Sequence, residues 1–270
     1  MKRIFAMLLA LLLVCSFAAC SKEEEKENEK IDLTVTSNEL YYNVGGTYND
    51  RFTYKIINGN QVAIIGFTSD YTPHDVVVPA VIEECPVVEI SDSAFYHCSQ
   101  LKTVTIPTSV TKVGKMAFAG CAQLTEVKYA DNTANVKEID AYAFAYCAKL
   151  TAITLPNSLT TLGDGAFFEC KALSTINIPN VVRGTDSNVT SGIEKIAYMT
   201  FMGCDNLTTV TGGEGVTEIG DYAFRGCAEL ATITLSSALT KIGDYAFSGC
   251  AELAQPALGE GVTVGAFAFE

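Results

Sequence analysis

The phrase Ala-Phe-x-x-Cys-x-x-Leu, or a near variant, recurs seven times, with its phenylalanine at Phe95, Phe118, Phe144, Phe167, Phe201, Phe224 and Phe247. The steps between copies are 23, 26, 23, 34, 23 and 23 residues. A unit so short cannot bury an apolar face alone, so a period that keeps returning to one value requires each unit to stack on its neighbours. The expected fold is a repeat solenoid. That overrides the one or two globular domains that 270 residues at 49% hydrophobic content would otherwise suggest.

One unit, AFAYCAKLTAITLPNSLTTLGDG at residues 143–165, predicts the course of a coil. Leu150, Ile153 and Leu155 are apolar while Ala152 and Thr154 alternate to the other side, the period of a short strand. Pro156 cannot donate to a ladder and ends it. Leu159 and Leu162 form a short apolar return, Gly163-Asp164 a tight turn, and Ala166, Phe167 and Cys170 a single helical turn. Adjacent coils then pair their strands in parallel.

A divergent first coil is expected from Val76-Val77-Val78-Pro79 and the apolar run 87–90. Upstream, Phe52, Tyr54 and Ile56 alternate, Asn58-Gly59 supplies a turn, and Val62 and Ile64 alternate again, predicting a β-hairpin that caps the open end of the solenoid. The domain organisation is thus a leader over 1–19, a charged tether over 20–30, the hairpin cap over 31–75 and the solenoid over 76–270.

The combination Leu-x-x-Ile-x-Leu-Pro-x-Ser-Leu-x-x-Leu-Gly-Asp-x-Ala-Phe-x-x-Cys at 150–170 resembles the BspA-like, or Treponema pallidum type, leucine-rich repeat family of bacterial surface proteins. Its period lies within the roughly 20 to 29 residues of leucine-rich repeats. The resemblance covers residues 76–270 and implies attachment to host matrix proteins, to other bacteria or to epithelial cells. It specifies the fold more sharply than the ligand.

The N-terminus reads as an export signal, with Lys2 and Arg3 ahead of an uncharged run from Ile4 to Val14 that is too short for a transmembrane helix. Phe17-Ala18-Ala19-Cys20 resembles the lipobox of bacterial lipoproteins, in which the cysteine is lipidated; ordinary secretory cleavage is the alternative. Ser21-Lys22-Glu23-Glu24 resembles the Lys-acidic-acidic signal that sends Bacteroidetes lipoproteins to the outer face of the outer membrane; a plain solvated linker is the bland alternative. The expected location is a lipid anchor in the outer membrane, with a periplasm-facing or secreted protein as alternative. Without Lys2 and Arg3 the chain carries 16 basic against 31 acidic residues, a balance of −15, with no basic stripe for nucleic acid. Contact with the membrane is expected through the lipid only.

Chemistry is sparse. Cys98, Cys121, Cys147, Cys170, Cys204, Cys227 and Cys250 each follow the repeat phenylalanine by three residues and should form one inward rung of free, buried thiols. Parallel stacking points their Cβ atoms the same way, a poor geometry for disulfides. His74 and His97 read as surface residues, and Asp164, Asp221 and Asp244 as turn residues. Neither Gly45-Gly46 nor Gly212-Gly213 has the context of a phosphate loop. No catalytic, metal or cofactor site is expected, and the chain does not read as an enzyme.

A protein partner has two places to bind. The outward strand positions Thr103, Thr105, Glu126, Lys128, Ala152, Thr154, Thr175, Asn177, Thr209, Thr211, Thr232 and Thr234, with Gln255 and Ala257 in the last coil, form a neutral polar face, although threonine also simply suits a solvated strand. The long steps place extra residues near 130–135 and 180–192, and insertions at one point of a repeat emerge on one edge. Tyr96, Tyr146, Phe168 and Met202 form an apolar ridge, and with Arg183, Asp186 and Asn188 of the longer insertion they are the candidate partner-binding residues; partial burial against the neighbouring coil and a tolerated surface insertion are the bland alternatives. The leading expectation is an adhesion or protein-interaction module; the alternative is a structural or accessory component of an outer-membrane complex, such as a nutrient-uptake system. The segment 264–269 opens an eighth copy, which suggests either a longer repeat array or end-to-end association.

Overall fold

The computed structural model describes residues 45–130, 134–185 and 188–270. The leader, Cys20, the tether and Asp186 lie outside the described residues. The chain folds as a solenoid whose coils have three sides. On the strand side, Asp75–Val77, Thr103–Ile106 and Glu126–Tyr129 pair in parallel, as do Thr175–Ile178, Thr209–Gly212 and Thr232–Ile233. On the return side, Cys85–Ile90, Lys112–Val113, Glu138–Ile139 and Thr161–Leu162 form one parallel run, and Lys195–Ile196, Glu218–Ile219, Lys241–Ile242 and Thr263–Val264 another. The third side carries the Ala-Phe-x-x-Cys phrase.

Register aligns equivalent repeat positions, so Val104 meets Val127 and Ile176 meets Val210 inside the coil. All seven repeat phenylalanines are buried, and their rings form one column with Phe269, centroids 5.1 to 5.6 Å apart. Each such ring contributes roughly 1.5 to 3 kcal/mol by burial alone. The column runs unbroken past both insertions, but the sheets do not. The 26-residue step leaves the strand side unpaired between Glu126–Tyr129 and the next coil, which joins the following strand only through an Ala152–Thr175 bridge. The 34-residue step leaves the return side unpaired between Thr161–Leu162 and Lys195–Ile196, and its extra residues form an antiparallel hairpin of Val182–Arg183 with Val189–Ser191.

The third side departs from the expected helical turn: among the described residues there is no helix. Residues two before and two after each phenylalanine take positive φ, for example Tyr142 at 56° and Tyr146 at 59°, and a helix cannot pass through residues of left-handed conformation. Main-chain amides accordingly alternate. Tyr142, Phe144 and Tyr146 donate to Asp164, Ala166 and Phe168 of the next coil, whereas Ala143, Ala145 and Cys147 donate three residues back within their own turn. The same three forward bonds repeat at every step of the stack. Gly163 also has a different reason from the one expected. Its φ is not positive; instead a Cβ there would meet the amide nitrogen of Ala141 at 2.5 Å, so the residue permits close approach of two coils.

Ahead of the first coil, Gly45–Tyr48, Phe52–Ile57 and Gln61–Phe67 pair antiparallel in sequence order, and the last of them extends the return side by pairing parallel with Cys85–Ile90. The alternating burial of Phe52, Tyr54 and Ile56 puts their side chains in the core. Phe67 places its ring 4.5 Å from that of Phe95, at the head of the aromatic column. At the other end, the Pro256 coil carries no strand between 253 and 258.

Candidate interaction face

Each outward side chain on the strand side is held by a neighbour whose inward partner is core. Val104, Val127, Ile153, Ile176 and Val210 are buried, which forces Thr105, Lys128, Thr154, Asn177 and Thr211 to the surface side of the pleat. The face is neutral and polar, with a Lys128–Glu126 ion pair at 3.0 Å and hydroxyl bonds from Thr103 to Asp75 and from Thr211 to Asn177 Oδ1. The return side carries stacked charge instead. Glu218 bridges Lys195 at 3.2 Å and Lys241 at 3.0 Å, and the hydrogen bond from Lys241 leads the interactions that hold its carboxyl below the usual range.

Asp164, Asp221 and Asp244 accept main-chain N–H bonds from the following coil, at Tyr198, Asp244 and Ala266. These carboxylates therefore lock coil to coil. The thiols do likewise: Cys121, Cys147, Cys170, Cys204, Cys227 and Cys250 each donate to the carbonyl of the repeat phenylalanine one coil earlier, at 3.1 to 3.3 Å. All seven ladder cysteines are free. Burial pushes Cys121 and Cys170 up to about 12, and raises Cys147, Cys204 and Cys227 well above the ordinary thiol range. Both histidines are exposed. Among the described residues no cluster of three or more His, Cys, Asp or Glu converges on a point.

The proposed ridge is only partly contiguous. Tyr146, 55% exposed, meets Phe168 edge-on at 5.2 Å, while Met202 lies half-buried beyond them. Tyr96, 50% exposed, packs instead on His97, two coils away from Tyr146. The hairpin leaves the coil at a different corner, between the strand and return sides. There Arg183 pairs with Glu194, Asn188 is exposed and its carbonyl accepts from Gly184, and Asn180 Oδ1 accepts from Glu214 N. Ridge and hairpin are thus separate features of the coil.

Two features escape a reading of the repeat phrase alone. Tyr198, Tyr222, Tyr245 and Phe267 form a second aromatic column, with the Arg225 guanidinium over Tyr222 and Tyr245. Its signal is an aromatic residue two positions before the column phenylalanine at Tyr222, Tyr245 and Phe267, and three before it at Tyr198. The second is a groove of about 650 Å³ where the strand side is interrupted, lined among others by Glu126, Tyr129, Thr154, Asn157 and Asn177. Its signal is Tyr129-Ala130, standing where neighbouring coils have an aliphatic residue and proline, as in Ile106-Pro107 and Leu155-Pro156.

The family model of the BspA type leucine rich repeat region matches residues 88–190 and 184–270. The chain belongs to the BspA-type leucine-rich repeat family. Among solved structures, a leucine-rich repeat protein of T. pallidum is similar at 29% identity and a TM-score of 0.64, covering 77% of this chain and 90% of that one. A leucine-rich repeat protein from Bacteroides ovatus shares the fold at 24% identity and a TM-score of 0.57, over 81% of this chain and 61% of that one. No match was found among curated proteins. BspA-type membership accounts for the period, and leucine-rich repeats in general are non-catalytic protein-interaction modules that bind along extended surfaces.

Proposed function

We propose that this protein is a cell-envelope lipoprotein, anchored through a lipid on Cys20, whose solenoid is displayed on the bacterial surface as an adhesion module for a host matrix protein or another bacterial surface protein. The observation that carries the reading is a BspA-type array whose outward strand positions are exposed and only partly engaged with one another. The antiparallel strands ahead of the first coil act as its cap, because they extend the return sheet and lay Phe67 over Phe95.

The anchor and the display are tested separately. Cys20→Ala is expected to abolish acyl labelling and membrane fractionation, and a variant that partitions with membranes as before overturns the lipid anchor. Protease shaving of intact cells is expected to remove the solenoid. A solenoid that survives shaving and is digested only after the outer membrane is permeabilised overturns surface display and favours an accessory role inside the envelope.

A further inference from the structure

The groove on the strand side coincides with a missing piece of main-chain ladder. Elsewhere on this side each coil bonds to the last: Thr125 N donates to Lys102 O, Ser174 N to Thr151 O, and Thr208 N to Ser174 O. No such bond joins Thr151 to Thr125, and no strand pairing joins Glu126–Tyr129 to 151–155. Glu126–Tyr129 and residues 154–158 both line the groove of about 650 Å³, and no strand pairing joins their two coils there.

The lining adds polar groups without partners of their own. Tyr129 sits in register with Ile106, but its hydroxyl is buried and has no hydrogen-bond partner, a costly state for a polar atom. Asn157 and Thr154 are exposed at the rim, and Asn177 uses its Oδ1 for Thr211, which leaves its amide N–H groups directed elsewhere. Charge at the rim is already neutralised by the Glu126–Lys128 pair, which disfavours a strongly ionic ligand.

We propose that this slot receives an extended peptide segment of a partner protein, which completes the interrupted ladder; the inference rests on the protein-interaction reading above and names its site. An extended chain presents N–H and C=O groups alternately to both sides, which is what two facing strand edges require, and strand addition is a recurrent mode of peptide recognition. Side-chain amides such as Asn157 and Asn177 can both donate to and accept from a peptide group.

The test uses the isolated full chain and a phage-displayed library of random linear twelve-residue peptides, with a glycan array as a second probe. Selected peptides are expected to lose at least tenfold in affinity for Thr154→Arg, which places a long side chain across the slot from an exposed position, and to weaken for Asn157→Ala. Tyr129→Phe is expected to raise the melting temperature, by removing an unsatisfied buried hydroxyl, and to leave the same peptides bound. Peptides that bind Thr154→Arg as they bind the wild type overturn the groove yet leave the interaction module standing. Failure to enrich any peptide, or binding of glycans alone, overturns the proposal. Neither result depends on the lipid anchor or on surface display.

Discussion

The cysteine three residues after each phenylalanine is both a core atom and a hydrogen-bond donor. Its position in the sequence marks it as inward and small, and so much was legible; the bond to the preceding phenylalanine carbonyl was not, because it depends on the stagger between two coils. The consequence is a set of thiols held protonated. In the unfolded chain they ionise in the ordinary range, about 8.5, whereas Cys121 and Cys170 in the fold ionise only near 12. Above the lower value the unfolded state binds fewer protons than the native one, so stability is complete below it and falls as pH rises. The loss is about 1.4 kcal/mol per pH unit for each such thiol until the folded value is reached. The urea midpoint is expected to drop between pH 8 and 10, and a Cys121→Ala, Cys170→Ala double variant to show a shallower drop from a lower start. Alkylation should distinguish the rungs. Cys250 is half-buried and its ionisation is eased by the hydrogen bond with Cys227, so iodoacetamide followed by peptide mass mapping should modify it before Cys121, Cys147, Cys170 or Cys204. Equal labelling of all rungs in the native protein would contradict the buried ladder.

Within one coil, the strand, the proline stop and the apolar return were legible because period-two alternation and Pro156 have few alternatives. The phenylalanine turn departs from what its spacing suggests. Spacing of Ala, Phe and Cys suits a helical turn, yet glycine occupies the second position after phenylalanine in four copies, at Gly120, Gly203, Gly226 and Gly249, and each has positive φ. That glycine was the available signal for a left-handed residue. The copies without it hold His97, Tyr146 and Glu169 at φ of 55° to 59°, at a cost of about 1 to 2 kcal/mol each. His97→Gly is therefore expected to stabilise by about 1 kcal/mol or less, since the exposed ring gives up its contacts with Tyr96 and with Gly120 of the next coil while the left-handed strain is relieved. Gly226→Ala should destabilise by about the same amount through backbone strain alone, because a Cβ there meets nothing closer than 4.0 Å. Thermal melts of the two variants should move in opposite directions; a shift of both in one direction would refute the left-handed assignment. The groove beside Tyr129 was beyond reach of the pattern: an insertion is visible in the 26-residue step, but which side of the coil loses its pairing depends on where stacking resumes.

Over the whole molecule, stability resides in columns rather than in a centre, since every coil touches only its neighbours. Phe167 is fully buried between Phe144 at 5.6 Å and Phe201 at 5.5 Å, in the one coil that spans the 34-residue step. Phe167→Ala should cost about 3 to 5 kcal/mol, read as a lower denaturant midpoint, with amide exchange accelerated first in the flanking coils. A loss below 1 kcal/mol would mean that the column does not carry the stack across the insertion. The column was legible from one phenylalanine per period, and its continuity past both insertions follows from the cysteine and phenylalanine keeping their spacing while the loops do not. The forward amides of the phenylalanine turn have a further effect at this scale. At every step from the first coil to Gly249, which donates to Glu270 O, the inter-coil N–H vectors of that side point the same way along the axis. Their peptide dipoles add, so this side of the molecule is electrically polar, with its positive pole toward the later coils. Two copies meeting end to end along this side by a two-fold axis would set donors against donors or acceptors against acceptors. Only a head-to-tail arrangement matches them, and a contact of that kind propagates instead of closing into a dimer.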